Sequence, residues 1–460
     1  MMRGLVVVVG LVVAGCYSAQ PATGLPCAEN GACPDGLECR TGRCEKPGSD
    51  VIDGSFDVPV DVAIDACASA TCSGNDIVGC GESVTCQTAC SSIGGAHCMV
   101  LVPSNGLSGT LLQGATADVT SNQDWTFDTD VGQIKKGNIF LRNPGTGVIS
   151  GIRFQVIDGM GVFSARSFTI TAGSVFGAVG SNTLALYATT TIQISGELSV
   201  SASSDAGGPG GSSSNLSTIT GGCRGRAGRN LGATYAEGGG GGGGVTAGGI
   251  GGPSNNGPGT GLGGTVCTSA PSTIPLRGGN AGGAGGQSSS NWGGGGGGGV
   301  ALVAMESITV SGVVTAPGAG GASNQDNGGG GGGGGGAIFL EAPTVTVTAA
   351  GAVTANGGSG AAPSIGDGLP GSRTSSNPVL GGAYACPIVG GTARGGSGGT
   401  RLAPPTSGGN CTYDDGLGTA GSRGGGGGGA VGKIEMKALM STTTGAVLSP
   451  TPLQTTPMFE

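Results

Sequence analysis

The sequence predicts an all-β fold organised as a parallel β-solenoid (β-helix), and three observations support this prediction. A repeat of three short segments in about 20 residues begins near residues 184, 300 and 338. Within each segment apolar residues alternate with others, which indicates strands with one buried face. The chain has 107 glycines among 460 residues and only 3% aromatic residues, which favours narrow stacked turns over a conventional core. Since no such repeat buries its face alone, the repeats are expected to stack.

The repeat is clearest where V-A-L-V-A-M-E-S-I-T-V-S-G-V-V-T-A begins at Val300. Its buried-face positions are Val300, Leu302, Ala304, Ile308, Val310, Val314 and Ala316. The equivalent positions of the next copy are Ile338, Leu340, Ala342, Val345, Val347, Val353 and Ala355. Those of the earlier copy are Leu184, Leu186, Ala188, Ile192, Ile194, Leu198, Val200 and Ala202. A strand is therefore expected at each of nine segments.

The N-terminus indicates export. Arg3 precedes an apolar run from Leu5 to Ala14 that is too short to span a bilayer. The ending Val-Ala-Gly-Cys at 13–16 resembles the lipobox of bacterial lipoproteins; the alternative is a plain secretory signal with an incidental cysteine. The resemblance implies a signal peptide at 1–15, acyl chains such as palmitate on Cys16, and, because Tyr17 follows, the outer membrane. Several acyl chains would anchor the protein stably.

The other 14 of the 15 cysteines are candidates for disulfides, as an even number in an exported chain suggests. They are Cys27, Cys33, Cys39, Cys44, Cys67, Cys72, Cys80, Cys86, Cys90, Cys98, Cys223, Cys267, Cys386 and Cys411. Cys223 with Cys267, and Cys386 with Cys411, are expected to pair locally. The six from 67 to 98 allow 15 pairings that stay open. We expect no metal, because the first set lacks a CxxC spacing, and His97 beside Cys98 is read as incidental.

These motifs divide the chain into consecutive regions. A lipidated tether at 16–26 leads to a small Cys-rich module at 27–44, an Asp/Val-rich linker at 45–66 and a second Cys-rich module at 67–98. A β-rich capping region is expected at 99–183, where large side chains such as Phe127, Phe140 and Phe163 would cover the open end. The solenoid turns follow at 184–460, with glycine-rich insertions at 203–299, 317–336 and 356–429, and the last strand is expected to start at 430–436.

The glycine-rich insertions allow two interpretations. They are flexible linkers, as such compositions often are, or their backbones pack as extended threads that exchange N–H···O=C bonds. Ordering glycine is costly because it loses the most backbone freedom. Since several poly-Gly runs lead directly into strands, we expect partial order near the strand ends. The many GxGxxG strings carry no information at this composition.

Three groups of polar residues are candidates for binding or catalytic sites. Arg224, Arg226 and Arg229 suit an anionic sugar or phosphate, although a solubilising loop explains them better. The Asp128–Gly132 stretch begins like a Ca²⁺ loop but lacks the later ligands. The aligned outward positions Tyr187, Val303, Glu341 and Glu435 raise the possibility of a carboxylate pair, but a solvated face is the expected explanation. We therefore predict no enzyme, no cofactor and no metal site.

The whole plan resembles the glycine-rich secreted lipoproteins common in myxobacteria, and its repeat is similar to the β-solenoids of bacterial adhesins. The resemblance rests on the lipobox, the cysteine module at 27–44, the Asp/Val spacer and the A-I-F-L-E-A turns. It implies location and shape. We expect a non-enzymatic, lipid-anchored outer-membrane protein for adhesion or matrix contact, with extracellular polysaccharide or other surface proteins as partners. The alternatives are a polysaccharide-binding or polysaccharide-cleaving β-helix and a purely structural envelope protein. Nucleic acid is excluded by the net charge of −8.

Overall fold

The computed structural model describes residues 32, 38–40, 43–45, 70–73, 76–79, 83–86, 90–92, 96–214, 222–231, 235–254, 261–267, 276–286, 292–323, 327–386, 392–414 and 420–460. The chain divides into two compact units, Met1–Ala66 and Cys67–Glu460. The predictions that concern the signal peptide, the tether and the linker lie outside the described residues. So do those for Cys16, Cys27, Cys33, Cys67 and Cys80.

The small N-terminal unit contains one described hairpin. Strands β1 (Glu38–Arg40) and β2 (Arg43–Glu45) pair antiparallel, and Cys39 lies directly opposite Cys44 in the register.

The Cys-rich module at the start of the second unit is made of short antiparallel strands. They are β3 (Thr71–Ser73), β4 (Asp76–Val78), β5 (Val84–Thr85), β6 (Cys90–Ser91) and β7 (His97–Cys98). Disulfides join Cys72 to Cys90 and Cys86 to Cys98. Because Cys98 is bonded to Cys86, it cannot serve as the thiolate partner of His97.

The rest of the second unit is all-β, as predicted. After β8 (Leu101–Val102) and a 3₁₀ helix (Gly109–Leu112), the strands up to the first glycine-rich insertion are β9 (Asp118–Ser121), β10 (Trp125–Asp128), β11 (Gln133–Lys136), β12 (Ile139–Arg142), β13 (Gly147–Ile149), β14 (Ile152–Ile157), β15 (Met160–Ala165), β16 (Ser167–Ile170), β17 (Val175–Val179), β18 (Thr183–Ala188), β19 (Thr191–Ile194) and β20 (Glu197–Ser199). The described part of the chain has no α-helix, and no helix in it has the length and apolarity needed to span a membrane.

The later strands alternate with the glycine-rich insertions. They are β21 (Tyr235–Ala236), β22 (Gly299–Ala304), β23 (Ser307–Val310), β24 (Val313–Thr315), β25 (Ala337–Glu341), β26 (Thr344–Val347), β27 (Ala352–Thr354), β28 (Ala383–Ala385), β29 (Thr392–Arg394), β30 (Asn410–Asp414), β31 (Ala420–Gly424), β32 (Lys433–Lys437), β33 (Met440–Thr442), β34 (Val447–Ser449), β35 (Leu453–Thr455) and β36 (Met458–Phe459). The expectation that the segment at 430–436 begins the last strand is wrong. Strand β32 is followed by four more, because the triplet pattern continues there with weaker apolar alternation.

Three large sheets, parallel through their main part, share the strands of each repeat. We number them by the order in which the strands of one repeat enter them. The first sheet is β13-β14-β15-β18-β22-β25-β32-β35, the second is β9-β16-β19-β23-β26-β33, and the third is β12-β11-β10-β17-β20-β24-β27-β34. Equivalent residues of successive repeats pair in register: Leu184 lies beside Val300, and Val300 beside Ile338. All nine predicted segments are strands. Identical register explains why like residues stack in the core.

The enclosed core changes in side-chain size along the stack. Its repeats contribute small and medium residues such as Leu302 and Val345, whereas the β9–β17 end holds a cluster of buried phenylalanines. Phe163 contacts Phe127 and Phe154, with ring centroids 5.0 and 4.7 Å apart. Antiparallel strands flank the stack there. Phe140 departs from the prediction, because its ring is 47% exposed.

Candidate functional site

The glycine-rich insertions contain a backbone arrangement with a period of three. The poly-Gly run 238–244 donates its N–H groups in rotation to three neighbouring segments. The six bonds, 2.7–3.1 Å long, run from Gly238 and Gly241 to the carbonyls of Gly252 and Gly249, from Gly239 and Gly242 to Gly329 and Gly332, and from Gly240 and Gly243 to Arg226 and Cys223. Every third residue thus bonds to the same neighbour. This is the period of polyproline II, which has three residues per turn and no internal hydrogen bonds.

The same run accepts hydrogen bonds from three further segments, so it has six neighbours. These donors are Gly427 and Ala430 from one segment, Gly283 from the second, and Gly264 and Cys267 from the third. The runs 328–336 and 424–432 are bonded in the same way. We call 238–244, 328–336 and 424–432 the central threads, and the whole array the glycine lattice; its other threads are 223–229, 245–252, 261–267, 276–286, 293–298, 316–322, 355–362, 395–399 and 406–409.

Close packing explains why the central threads are made of glycine. A Cβ on Gly241, Gly332 or Gly429 would overlap the carbonyl oxygen of Gly428, Gly358 or Gly333, respectively. A thread with neighbours on every side therefore has no room for side chains. An outer thread has one free side, and with three residues per turn it accepts a side chain at every third position. Some exposed positions on threads 245–252 and 261–267 follow that spacing, namely Ala247 and Ile250, then Leu262 and Thr265, while Val245 and Val266 are exposed as well.

Of the two interpretations of the glycine-rich insertions, the extended threads joined by N–H···O=C bonds match these contacts, but their period of three is not among the predictions from the sequence. The signal was present as G-G-x spacing, for example G-G-I-G-G-P at 248–253 against unbroken glycine at 328–336. Order was expected near the strand ends only. Threads instead occur in the described parts of all three insertions, and several lie away from the strand ends. The disulfides Cys223–Cys267 and Cys386–Cys411, which join the pairs expected from the sequence, lie within this region.

The outer face of the first sheet is covered, which corrects the expectation of a solvated face. Residues 100–112, here called the strap, cover this face. The strap residues Leu101, Leu107, Leu111 and Leu112 belong to one buried apolar cluster with Tyr187, Val303 and Phe339 of the sheet. Glu341 is 0% exposed and Glu435 only 4%. The positions do align on one face, as predicted. The apolar strap removes that face from water, and nothing in the repeat pattern announces the strap.

Glu341 is held by the strap. The backbone N–H and the hydroxyl of Ser104 donate to its carboxylate at 2.8 and 2.7 Å, and Lys437 donates to the Ser104 hydroxyl at 2.8 Å. Burial raises the pKa of Glu341, and the nearby Glu435 adds to this, while the bonds from Ser104 and the charge of Lys437 act in the opposite direction. Burial, followed by the charge of Glu341, raises the pKa of Tyr187. A carboxylate so enclosed is a packing element without access to a substrate.

The outer face of the third sheet is also partly covered. The hydroxyl of Thr354 donates to the carbonyl of Arg373 at 2.8 Å, and the Asn356 amide donates to the carbonyls of Ser372 and Ser375 at 2.7 and 2.9 Å. The Arg373 guanidinium pairs with Glu197 at 2.7 Å. The segment 372–375 therefore lies over this face.

The second sheet keeps its outer face in contact with water. Along strands β16, β19, β23 and β26 every second residue is buried in the core, and the residues between them remain partly or fully exposed. The exposed residues are mostly threonine and serine. They pair in register across strands, so they form columns on the sheet surface.

The remaining predicted groups have structural partners. Arg229 approaches the buried Glu237, with nitrogen–oxygen distances of 3.3 Å, so this arginine is engaged in an ion pair. Burial lowers the pKa of Arg224. The Asp128 carboxylate accepts the backbone N–H of Asp130 at 3.0 Å, and Asp130 accepts the N–H of Ser181 at 2.8 Å. These carboxylates close turns.

No cluster of three or more His, Cys, Asp or Glu side chains suited to a metal occurs in the part of the chain that the structure describes. Its candidate surfaces are therefore the glycine lattice and the open face of the second sheet. No family model, curated protein or solved structure matches the chain.

Proposed function

We propose that this protein is a non-enzymatic, lipid-anchored adhesion protein of the bacterial outer membrane. It would present the glycine lattice and its supporting sheets to the extracellular matrix. The observation that carries the proposal is the lattice itself. Its threads are fixed by hydrogen bonds to as many as six neighbours, so the protein offers a preformed surface. A preformed surface loses little conformational entropy on binding.

The supporting scaffold, in this proposal, is a parallel β-solenoid. Successive described strand triplets pass through the first, second and third sheets in the same order and pair in parallel with the preceding triplet. The glycine threads 328–336 and 424–432 lead into the first sheet, and 355–362 leaves the third. Each glycine insertion is thereby an extension of one turn.

A non-enzymatic role is favoured by the chemistry of the carboxylates. Glu341 and Glu435, the pair raised by the sequence as an acid and base, are both buried, and Glu341 is hydrogen-bonded to Ser104 of the strap. A general acid or base must come within hydrogen-bond reach of the substrate. The alternative of a polysaccharide-cleaving β-helix consequently lacks support at this pair, whereas binding without cleavage does not need it.

The experiment compares bacteria that produce the unaltered protein, Cys16→Ser, or none. We expect a palmitate analogue to label the unaltered protein alone, and protease added to intact cells to cleave it. Cells with the unaltered protein should adhere to extracellular matrix more strongly than cells with Cys16→Ser, because only the former retain the protein. Equal adhesion of all three strains would refute the proposed function. Labelling of Cys16→Ser would refute the anchor.

A further inference from the structure

The second sheet keeps the outward side chains of its described strands partly or fully exposed, whereas segments of the chain lie over parts of the other two sheets. The strap covers the first sheet, and segment 372–375 lies over the third. The exposed residues of the second sheet form two columns. The first column is Asp118, Ser167, Thr191, Ser307, Thr344 and Met440; the second is Thr120, Thr169, Gln193, Thr309, Thr346 and Thr442.

The columns form a regular grid of hydrogen-bonding groups. Neighbouring strands of a sheet are about 4.8 Å apart, and alternate residues of one strand are about 6.6 Å apart. A hydroxyl both donates and accepts, so the grid offers both functions at each threonine or serine. Threonine is restricted at χ1 by its branched Cβ, which limits the directions of its hydroxyl. The grid is therefore ordered before any ligand arrives.

The charge of this face limits the kind of partner. From Ser167 to Thr346 the columns contain no charged side chain. The charges at the β9 end are paired, because the Arg166 guanidinium donates to Asp118 at 2.8 Å. An anionic polymer or membrane would gain no attraction here. The face instead complements an uncharged partner rich in hydroxyl groups.

The size of the face also limits the partner. Six strands about 4.8 Å apart and four residues long cover about 350 Å². A stable protein interface buries about 800 Å² on each partner. The face is too small for a protein partner, but it suits a strip of extended polymer. Many anchored copies on one cell could engage the same polymer surface, and their weak affinities would combine through multivalency.

We infer that the outer face of the second sheet binds neutral, ordered polysaccharide. This inference rests on the proposed adhesion function and names its partner class and its surface. Sugar hydroxyls would bond to the columns of Thr169, Thr309 and Thr346. The glycine lattice would hold the neighbouring turns at a fixed spacing.

The test uses the full secreted chain carrying Cys16→Ser, so that it is soluble, and insoluble cellulose, chitin and alginate gel as probes. We expect retention on at least one neutral polysaccharide and none on alginate. The variant Thr169→Val/Thr309→Val/Thr346→Val keeps the side-chain shape and removes three hydroxyls, so its affinity should fall at least about tenfold. The control Thr146→Val/Thr374→Val/Thr451→Val changes exposed threonines outside this face and outside the glycine threads, and it should bind like the unaltered chain.

A second variant, Thr309→Arg, tests the same face by bulk and charge and should also reduce retention. Melting temperatures of all variants report whether they fold. Unchanged binding by folded face variants, preference for alginate, or no retention on any neutral polysaccharide would overturn the inference. If cells still adhere in a Cys16-dependent way in any of these cases, the proposed function stands although the inference about the sheet face fails. Loss of that adhesion would instead remove the function on which the inference rests.

Discussion

The stacked sheets and the glycine lattice belong to one chain but are held together by opposite means. The core of the sheets is filled by side chains such as Leu302 and Phe163, both 0% exposed, so burial of apolar surface stabilises it. Apart from Ala430 and Val431 near the end of thread 424–432, the central threads have no side chains, and backbone hydrogen bonds join each thread to its neighbours. Each bond contributes only about 1 kcal/mol net, while glycine has the largest backbone entropy to lose. The lattice therefore depends on the density of its bonds.

This difference means that the two regions are sensitive to opposite kinds of substitution. The core is damaged when atoms are removed, because a cavity remains. The lattice is damaged when atoms are added at its packed positions, because a neighbouring carbonyl lies where the Cβ of a residue such as Gly332 would be. Substitution by alanine tests both regions, because it removes atoms from a core side chain and adds a methyl group to a lattice glycine.

The largest effect is expected for Phe163→Ala in the core. Phe163 contacts two other buried aromatic rings. Removal of the ring leaves a large cavity, so the free energy of unfolding should fall by about 3–5 kcal/mol. Denaturant titration of the secreted chain measures this. Phe140→Ala, at a 47% exposed ring, is the control and should change stability much less.

The next effect concerns the cross-link within the lattice. The double variant Cys223→Ser/Cys267→Ser opens a loop with a sequence separation of 44. Loss of this constraint on the unfolded chain should cost about 2–4 kcal/mol, measured by the same titration. The threads 223–229 and 261–267 also exchange backbone bonds, so a folded lattice should persist. Complete loss of structure would mean that the lattice depends on the cross-link.

Gly332→Ala in a central thread should be destabilising although it adds a single methyl group. Its Cβ would overlap the backbone of Gly358, and overpacking typically costs about 1–3 kcal/mol. Gly409→Ala is the matched control, since the nearest atom to its Cβ would lie 3.4 Å away. Equal stability of the two variants would contradict the close packing of the threads.

The smallest effect is a pH dependence at the strap. The raised pKa of Glu341 means that the folded state binds its proton more tightly than the unfolded state does. Stability from this group is therefore greatest below the ordinary glutamate pKa and falls as pH rises from there through the raised value. Glu341→Gln should flatten this part of the stability–pH profile. A decline as steep as that of the unaltered chain would assign it to other groups.

The sheets could be predicted from the sequence because each strand has a local period of two. For the glycine-rich insertions the sequence left threads and flexible linkers as alternatives, and it did not reveal the period of three, because Ile250 and Leu262 stand out only when their glycine neighbours are understood as packed backbone. The disulfide partners were accessible because each pair lies within one insertion. The strap was not, because Ser104 bonds to Glu341, 237 residues away, and no local pattern reports such a contact.

The strap also defines how the molecule carries a mechanical load. Val100 and Glu460 exchange two backbone hydrogen bonds of 2.8 and 3.0 Å, and β8 pairs with β36. A force applied to the chain before Val100 enters at this pairing of residues 100–102 with residues 458–460. It must separate this pairing and then peel Ser104 from Glu341 before it can reach a stacked strand. We therefore expect the contacts of the strap to break under force before those of the sheets and of the lattice that they support.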